Sequence, residues 1–378
     1  MYAGVMDLRP QHGGTRRYPE ARVAMLSVPL GLIAIVTTVD VLAPPDVHLG
    51  PFLAAAPAVT ASFAGPRATA FIGAVAVAAQ VAVAVARTTV TDLNHAFQIV
   101  ALVLISVFVT FFAHLREVHE AQLTQLRSVA ETAQQVLLRP LRERLGPLRL
   151  ASVYLAAEAE ARIGGDFYAA TRTDDGTRLL IGDVRGKGLE AVGEAAIVLG
   201  AFRSAAHRKA GLPELVAYLD GAVAADVDDE TRDDAGRPPG EGFTTAAVVD
   251  IPDAETILRV VSCGHPPPLL LRDGRAVPLQ VDHPAPPLGL SGLVPGGFTP
   301  QSFPFEPGDV VLLYTDGVIE ARDASGAFYP LTERAAAWPG EGPEDLLRHL
   351  CADLLRHSPG GRLGDDAALV AIERLDEV

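Results

Sequence analysis

Residues 177–188 read TRLLIGDVRGKG, and they set the architecture of the C-terminal half. A run rich in strand-forming residues closes on Gly182-Asp183-Val184, and Arg185-Gly186-Lys187-Gly188 then leads into a helical stretch at 189–207. Outward from this unit, β-rich runs recur at 149–156, 243–251, 256–262, 310–315 and 367–372. Helical stretches at 189–207 and 213–225 sit together between the second and third runs, and another at 343–357 precedes the last. Strands and helices grouped in this way predict an α+β domain rather than alternating βαβ units. The segment 226–242, with seven acids and several Gly and Pro, predicts a surface loop.

Four acidic motifs lie at strand ends or turns of this domain. They are Gly164-Gly165-Asp166-Phe167-Tyr168, Ile181-Gly182-Asp183-Val184, Tyr314-Thr315-Asp316-Gly317 and Gly364-Asp365-Asp366-Ala367. An Asp beside Gly at a strand end is ordinarily a turn residue, so each motif alone carries little. Carboxylate and carbonyl oxygens are the donors that hard divalent cations such as Mg²⁺ and Mn²⁺ prefer. Two such ions can lower the pKa of a shared water and neutralise phosphoryl oxygens. The Gly186-Lys187-Gly188 stretch lacks the spacing of a phosphate-cradling P-loop.

Taken together, the four motifs resemble the signature of the PPM/PP2C-type serine/threonine phosphatases, in the bacterial branch typified by SpoIIE and RsbU. The resemblance runs from about 135 to 372. It includes Gly264-His265-Pro266-Pro267, Pro287-Leu288-Gly289, Pro307-Gly308-Asp309 and Glu320-Ala321-Arg322 in order and spacing. It implies a PP2C-like sandwich of two antiparallel β-sheets flanked by helices, and a centre for two divalent cations, Mn²⁺ or Mg²⁺. Asp183 would bridge the ions, and the backbone carbonyl of Val184 would complete one shell. Asp166 would act directly or through coordinated water, while Asp316 and Asp365 would hold the second ion, with Asp365 preferred over Asp366. His265 reads either as a general acid or, in its Pro-rich turn, as a structural residue. Ala169 stands where many relatives carry a further Asp, which removes a ligand from any auxiliary site. Arg185 reads as a phosphate contact or as a solvent-facing or carboxylate-paired side chain.

The N-terminal part has different chemistry. The chain has 378 residues, 49% hydrophobic and 20% charged. Residues 1–113 hold six Arg and five acids, whereas residues 114–378 hold 25 basic and 41 acidic groups. The acidic balance of the second part excludes nucleic acid as its main partner. Uncharged apolar stretches at 23–39, 47–66, 68–86 and 93–115 predict a four-helix transmembrane region rather than a cleavable signal peptide. Prolines at 51, 57 and 66 make the second the least regular. Arg9, Arg16, Arg17, Arg22, Arg67, Arg116 and Arg127 flank one side, against Asp46 and the Arg87/Asp92 pair on the other. The positive-inside rule then places both termini and the phosphatase domain in the cytoplasm of a multi-pass membrane protein. No charge inside a span marks an ion path, which argues against a transporter.

From 114 to 139 the chain contains no Gly or Pro. Leu115, Val118, Leu126, Val129, Ala133 and Val136 form one apolar seam. The seam predicts either a homodimer through this connecting helix or packing on the following domain. The expected organisation is a tail (1–22), a transmembrane region (23–115), a connecting signalling helix (116–146) and a phosphatase domain (147–378). The resemblance implies a membrane-anchored phosphatase acting on a phosphorylated protein, an anti-sigma-factor antagonist of the STAS type. A catalytically silent membrane scaffold that binds a phosphoprotein is the alternative. The two cysteines, Cys263 and Cys351, cannot build a disulfide framework. The two lysines beside 29 arginines read as codon bias.

Overall fold

The computed structural model describes residues 19–44, 49–86, 93–157, 164–208, 211–233, 243–293 and 296–376. Asp46, Arg87 and Asp92, used in the topology reading, lie outside these residues. So do the tail arginines Arg9, Arg16 and Arg17. The chain divides into two compact units, Asp7–Gln125 and Leu126–Val378.

The first unit consists of α1 (Pro19–Leu42), a 3-10 turn (Gly50–Ala54), α2 (Ala55–Phe63), α3 (Pro66–Ala86) and the greater part of α4 (Leu93–Leu137). Three helical segments are long and apolar enough to cross a membrane: Met25–Leu42, Pro66–Ala86 and Ala96–Gln122. The second expected span is corrected. Pro51 opens the 3-10 turn and Pro57 falls in the first turn of α2, the positions where a missing N–H is tolerated. The result is 14 residues of helix, Gly50–Phe63. They rise roughly 23 Å, short of a hydrocarbon core of about 30 Å.

This short segment nevertheless runs antiparallel to α3, with Gly50 beside Gln80 and Pro57 beside Gly73. At one end, a Cβ on Gly50 would collide with the Gln80 and Gln98 amides, which bond to each other at 2.9 Å. At the other end, Arg116 donates to the carbonyls of Ala61 (2.7 Å) and Ala64 (3.3 Å). The unit's core is built from Ile33, Leu53, Ala56, Ile72, Ala76 and Leu102.

The second unit contains β1 (Arg144–Leu145), β2 (Leu148–Leu155), β3 (Phe167–Arg172), β4 (Gly176–Val184), α5 (Leu189–Ala205) and α6 (Leu212–Asp233). It continues with β5 (Thr244–Pro252), β6 (Ile257–Cys263), β7 (Leu269–Arg272), β8 (Arg275–Pro278), β9 (Gln301–Pro304) and β10 (Val310–Tyr314). It ends with α7 (Asp316–Ile319), α8 (Leu331–Ala336), α9 (Pro343–His357) and β11 (Ala367–Arg374). The strands form two antiparallel sheets, β1-β2-β11-β10-β7-β8 and β3-β4-β5-β6-β9. This is the expected sandwich.

Side-chain alternation along β4 separates two cores. Leu179 and Ile181 join Val249, Val260, Val311, Leu313 and Val370 between the sheets. Leu180 and Val184 join Val198, Leu199, Phe202, Leu215 and Leu219 beneath α5 and α6. The loop expected to begin at 226 begins later, because α6 continues to Asp233; residues 234–242 are outside the description. The seam residues Leu126, Val129, Ala133 and Val136 lie on α4, but their side chains are not among those described.

Candidate metal centre

The two sheets contribute the acids in pairs. Asp166 precedes β3 and Asp183 is the penultimate residue of β4, and the register Phe167↔Gly182 sets them side by side. On the other sheet, β10 pairs with β11 through Tyr314↔Leu369. Asp316 therefore follows one strand while Asp365 and Asp366 precede its neighbour. Carboxylate oxygens of Asp166, Asp183 and Asp316 lie within 4.8 Å of one another. Asp365 is not part of that group.

Thr315, fully buried, joins the sheets. Its Oγ1 accepts the Ala368 N–H (2.9 Å) and donates to Asp166 Oδ2 (2.6 Å), while its own N–H donates to the Ala368 carbonyl (3.1 Å). This positioning residue was not singled out in the sequence, although it sits inside the Tyr-Thr-Asp-Gly motif. Two glycines permit the close approach. A Cβ on Gly165 would lie 2.7 Å from the Val184 carbonyl oxygen, and one on Gly317 would overlap the Asp366 carbonyl.

The electrostatics are those of crowded, desolvated carboxylates. Burial, then the neighbouring Asp183 charge, holds Asp166 well above the usual carboxylate range. Burial, then Asp316, raises Asp183 to about 7. Asp316 is raised by burial and then by Glu320, and Asp366 by burial. An all-oxygen donor set whose members repel one another fits a hard divalent cation, which supplies the opposing charge.

The remaining expected residues divide. Asp366 is buried and accepts the Ala157 N–H at 2.6 Å, whereas the Asp365 side chain is about half exposed and takes the Lys187 ammonium at 2.8 Å on each oxygen. Arg185 is exposed, with its guanidinium 5.1 Å from the Phe243 ring centroid. Ala169 is buried in the core beneath the helices, an apolar setting for the position where relatives carry an acid. His265 is buried, its Nδ1 lies 3.2 Å from Thr245 Oγ1, and burial lowers its pKa to about 4. That places it as a neutral structural residue. Burial pushes the Cys263 and Cys351 thiols up to about 12, so neither is a nucleophile at neutral pH.

The family model for stage II sporulation protein E (SpoIIE) matches residues 173–375, just over half the chain. The chain belongs to the SpoIIE family. Within that family match lie Asp183, Asp316, Asp365 and Asp366, with Asp166 just ahead of it. Its fold is similar to the SiaA-PP2C domain of Pseudomonas aeruginosa: TM-score 0.53, 16% identity, 68% of this chain and 99% of that one. The RsbU and RsbW domains of a Mycobacterium tuberculosis protein match at 27% identity and TM-score 0.48, over 61% of this chain and 62% of that one. The PP2C domain with a regulatory fragment of SpoIIE from Bacillus subtilis matches at 14% identity and TM-score 0.49, over 61% and 64%. The chain thus spans less than two thirds of the length of these last two.

Proposed function

We propose that the chain is a membrane-anchored, Mg²⁺- or Mn²⁺-dependent protein serine/threonine phosphatase. The observation that carries this reading is the convergence of Asp166, Asp183 and Asp316 at the junction of the two sheets. Asp183 would bridge two cations, with Asp166 and the Val184 carbonyl toward one, and Asp316 and Asp365 toward the other. Bound there, the cations supply Lewis acidity toward water and phosphoryl oxygens. Thr315 fixes the Asp166 carboxylate through its 2.6 Å bond, so one oxygen is committed to orientation. Arg185, parked on the Phe243 ring, is a candidate contact for a substrate phosphate.

The proposed substrate is a phosphorylated anti-sigma-factor antagonist of the STAS type, following the family resemblance in the motifs. The three long apolar helices support membrane anchoring, and Arg116 and Arg127, at and after the end of the last of them, support a cytoplasmic catalytic domain. Three crossings would put the N-terminal tail on the opposite side, which replaces the expectation of two cytoplasmic termini. The full chain in detergent micelles should release phosphate from a phosphoserine STAS protein with Mn²⁺ and lose that activity in excess chelator. Asp183→Asn should lower turnover by at least about a hundredfold, because the bridging charge is removed. Tight phosphoprotein binding without turnover would return the scaffold alternative.

The end of α4 lies close to this centre. The Leu137 carbonyl accepts a 2.8 Å bond from Arg203 of α5. Leu137 and Leu138 line a small cleft with Gly164, Asp166, Val192 and Leu199. The connecting helix is proposed to transmit a conformational signal, as a two-state element must if it is to bias the site. One alanine inserted between Gln122 and Leu123 rotates the seam by about 100°, while four return it to within about 40°. Activity in membranes should therefore change more for one inserted residue than for four. Equal activities for both and for wild type would reduce the helix to a tether.

A further inference from the structure

We propose that Lys187 is a built-in stand-in cation on Asp365, which a divalent ion must displace before this carboxylate can serve as its ligand. The inference rests on the two-cation reading and extends it to the order and strength of loading.

The loop between β4 and α5 is held by two glycines with positive φ, Gly186 at 123° and Gly188 at 95°, conformations that other residues rarely adopt. That geometry carries Lys187 across to a partner 178 residues away in sequence. Its ammonium lies 2.8 Å from both Asp365 oxygens, so each oxygen that would ligate a cation is already engaged by one point charge. Meanwhile Asp166, Asp183 and Asp316 already converge without Asp365. One part of the donor set is open and the other is closed by an internal charge.

The residue type matters. In a chain with 29 arginines and two lysines, an arginine would be the ordinary choice for an ion pair. A guanidinium forks across a carboxylate in two parallel bonds and holds it firmly. An ammonium is compact and strongly hydrated, resembles a hard cation in its demand for oxygen, and leaves readily. The pair is partly exposed, 35% for Lys187 and 48% for Asp365, which places it among weak, displaceable ion pairs.

The consequence is two cation sites of unequal strength, the weaker one being that which needs Asp365. Calorimetric Mn²⁺ titration of the full chain in detergent micelles reads this without any turnover. Lys187→Met should tighten the weaker site by about fivefold, the equivalent of an exposed pair at the upper end of its usual worth. Lys187→Arg should weaken it below wild type. With Asp365→Asn as background, Lys187→Met should have no effect on the isotherm. An unchanged or weaker second site in Lys187→Met, in a wild type that binds two ions, overturns the stand-in role alone. A wild type that binds no Mn²⁺ removes this inference together with the two-cation reading.

Discussion

In the helical unit, Phe97, Leu104, Val107 and Phe108 of α4 are each more than 60% exposed. In the sheet unit, exposed large apolar side chains among the described residues are confined to Leu189, Tyr218, Val277 and Phe328. The buried sides differ in the opposite sense. The helical unit's small core mixes Ile33, Leu53, Ile72 and Leu102 with Ala56, Ala76 and the buried Gly73, which let backbones approach, while the sheet unit packs two large clusters dominated by Leu, Val, Ile and Phe. One unit thus leaves many of its large apolar groups outward, and the other turns nearly all of them inward. That contrast is what hydrocarbon and water would demand of the two units under the proposed membrane anchoring.

A single substitution made in each unit breaks or sharpens this contrast. Leu104→Asp places a charge near the middle of a proposed span, which costs about 2.5–3.5 kcal/mol on insertion. The share of chain recovered in the membrane fraction should fall steeply. Phe328→Asp, on an exposed side chain of the sheet unit whose ring centroid lies 4.4 Å from the Arg322 guanidinium, should change thermal stability by no more than about 1 kcal/mol. Equal effects at the two positions would contradict the assignment of the helices to lipid.

Within the sheet unit, Thr315→Ala removes the bond that ties Asp166 to the β10–β11 corner. A loss of about 1–3 kcal/mol is expected, since the Asp166 carboxylate loses its donor while buried. Chemical denaturation in chelator checks the stability, and cation titration should also show weaker binding. A smaller effect is expected from pH. The carboxylates of Asp166, Asp183, Asp316 and Asp366 all titrate above their unfolded values. The folded state therefore binds these protons more tightly than the unfolded chain. Their contribution to stability is present below about pH 4 and is lost as pH rises through the folded values, for Asp183 about 7. In chelator, thermal melting should occur at a lower temperature at pH 8 than at pH 5, and saturating Mn²⁺ should narrow or reverse that difference. The smallest effect expected is from Arg185→Ala, which should raise KM by a few-fold if the guanidinium leaves Phe243 for phosphate. An unchanged KM assigns it to the Phe243 contact alone.

The long strands were legible because six of them carry runs rich in β-branched and aliphatic residues. The observed β2, β4, β5, β6, β10 and β11 fall within two residues of the runs read from sequence. Shorter strands were not legible. β3 begins inside the Gly-Gly-Asp-Phe-Tyr motif, and β7, β8 and β9 are four residues each amid prolines, below the length at which alternation registers. The acids at 226–233 suggested a loop, yet they continue α6, since solvated charges do not interrupt a helix. At the site, Asp166, Asp183 and Asp316 come together, and Asp365 lies outside that group. The Lys187–Asp365 pair was invisible because only the β4–α5 loop and the approach to β11 bring those two segments together.

The most direct test is a Mn²⁺ titration of the full chain, wild type and Asp183→Asn, at pH 6 and pH 8. Cation binding must expel the proton that Asp183 holds up to about pH 7, so wild type should bind two ions and bind them more weakly at pH 6. Asp183→Asn should retain one ion at most and lose most of the pH dependence. Two ions bound with the same affinity by both proteins at both pH values would contradict the account.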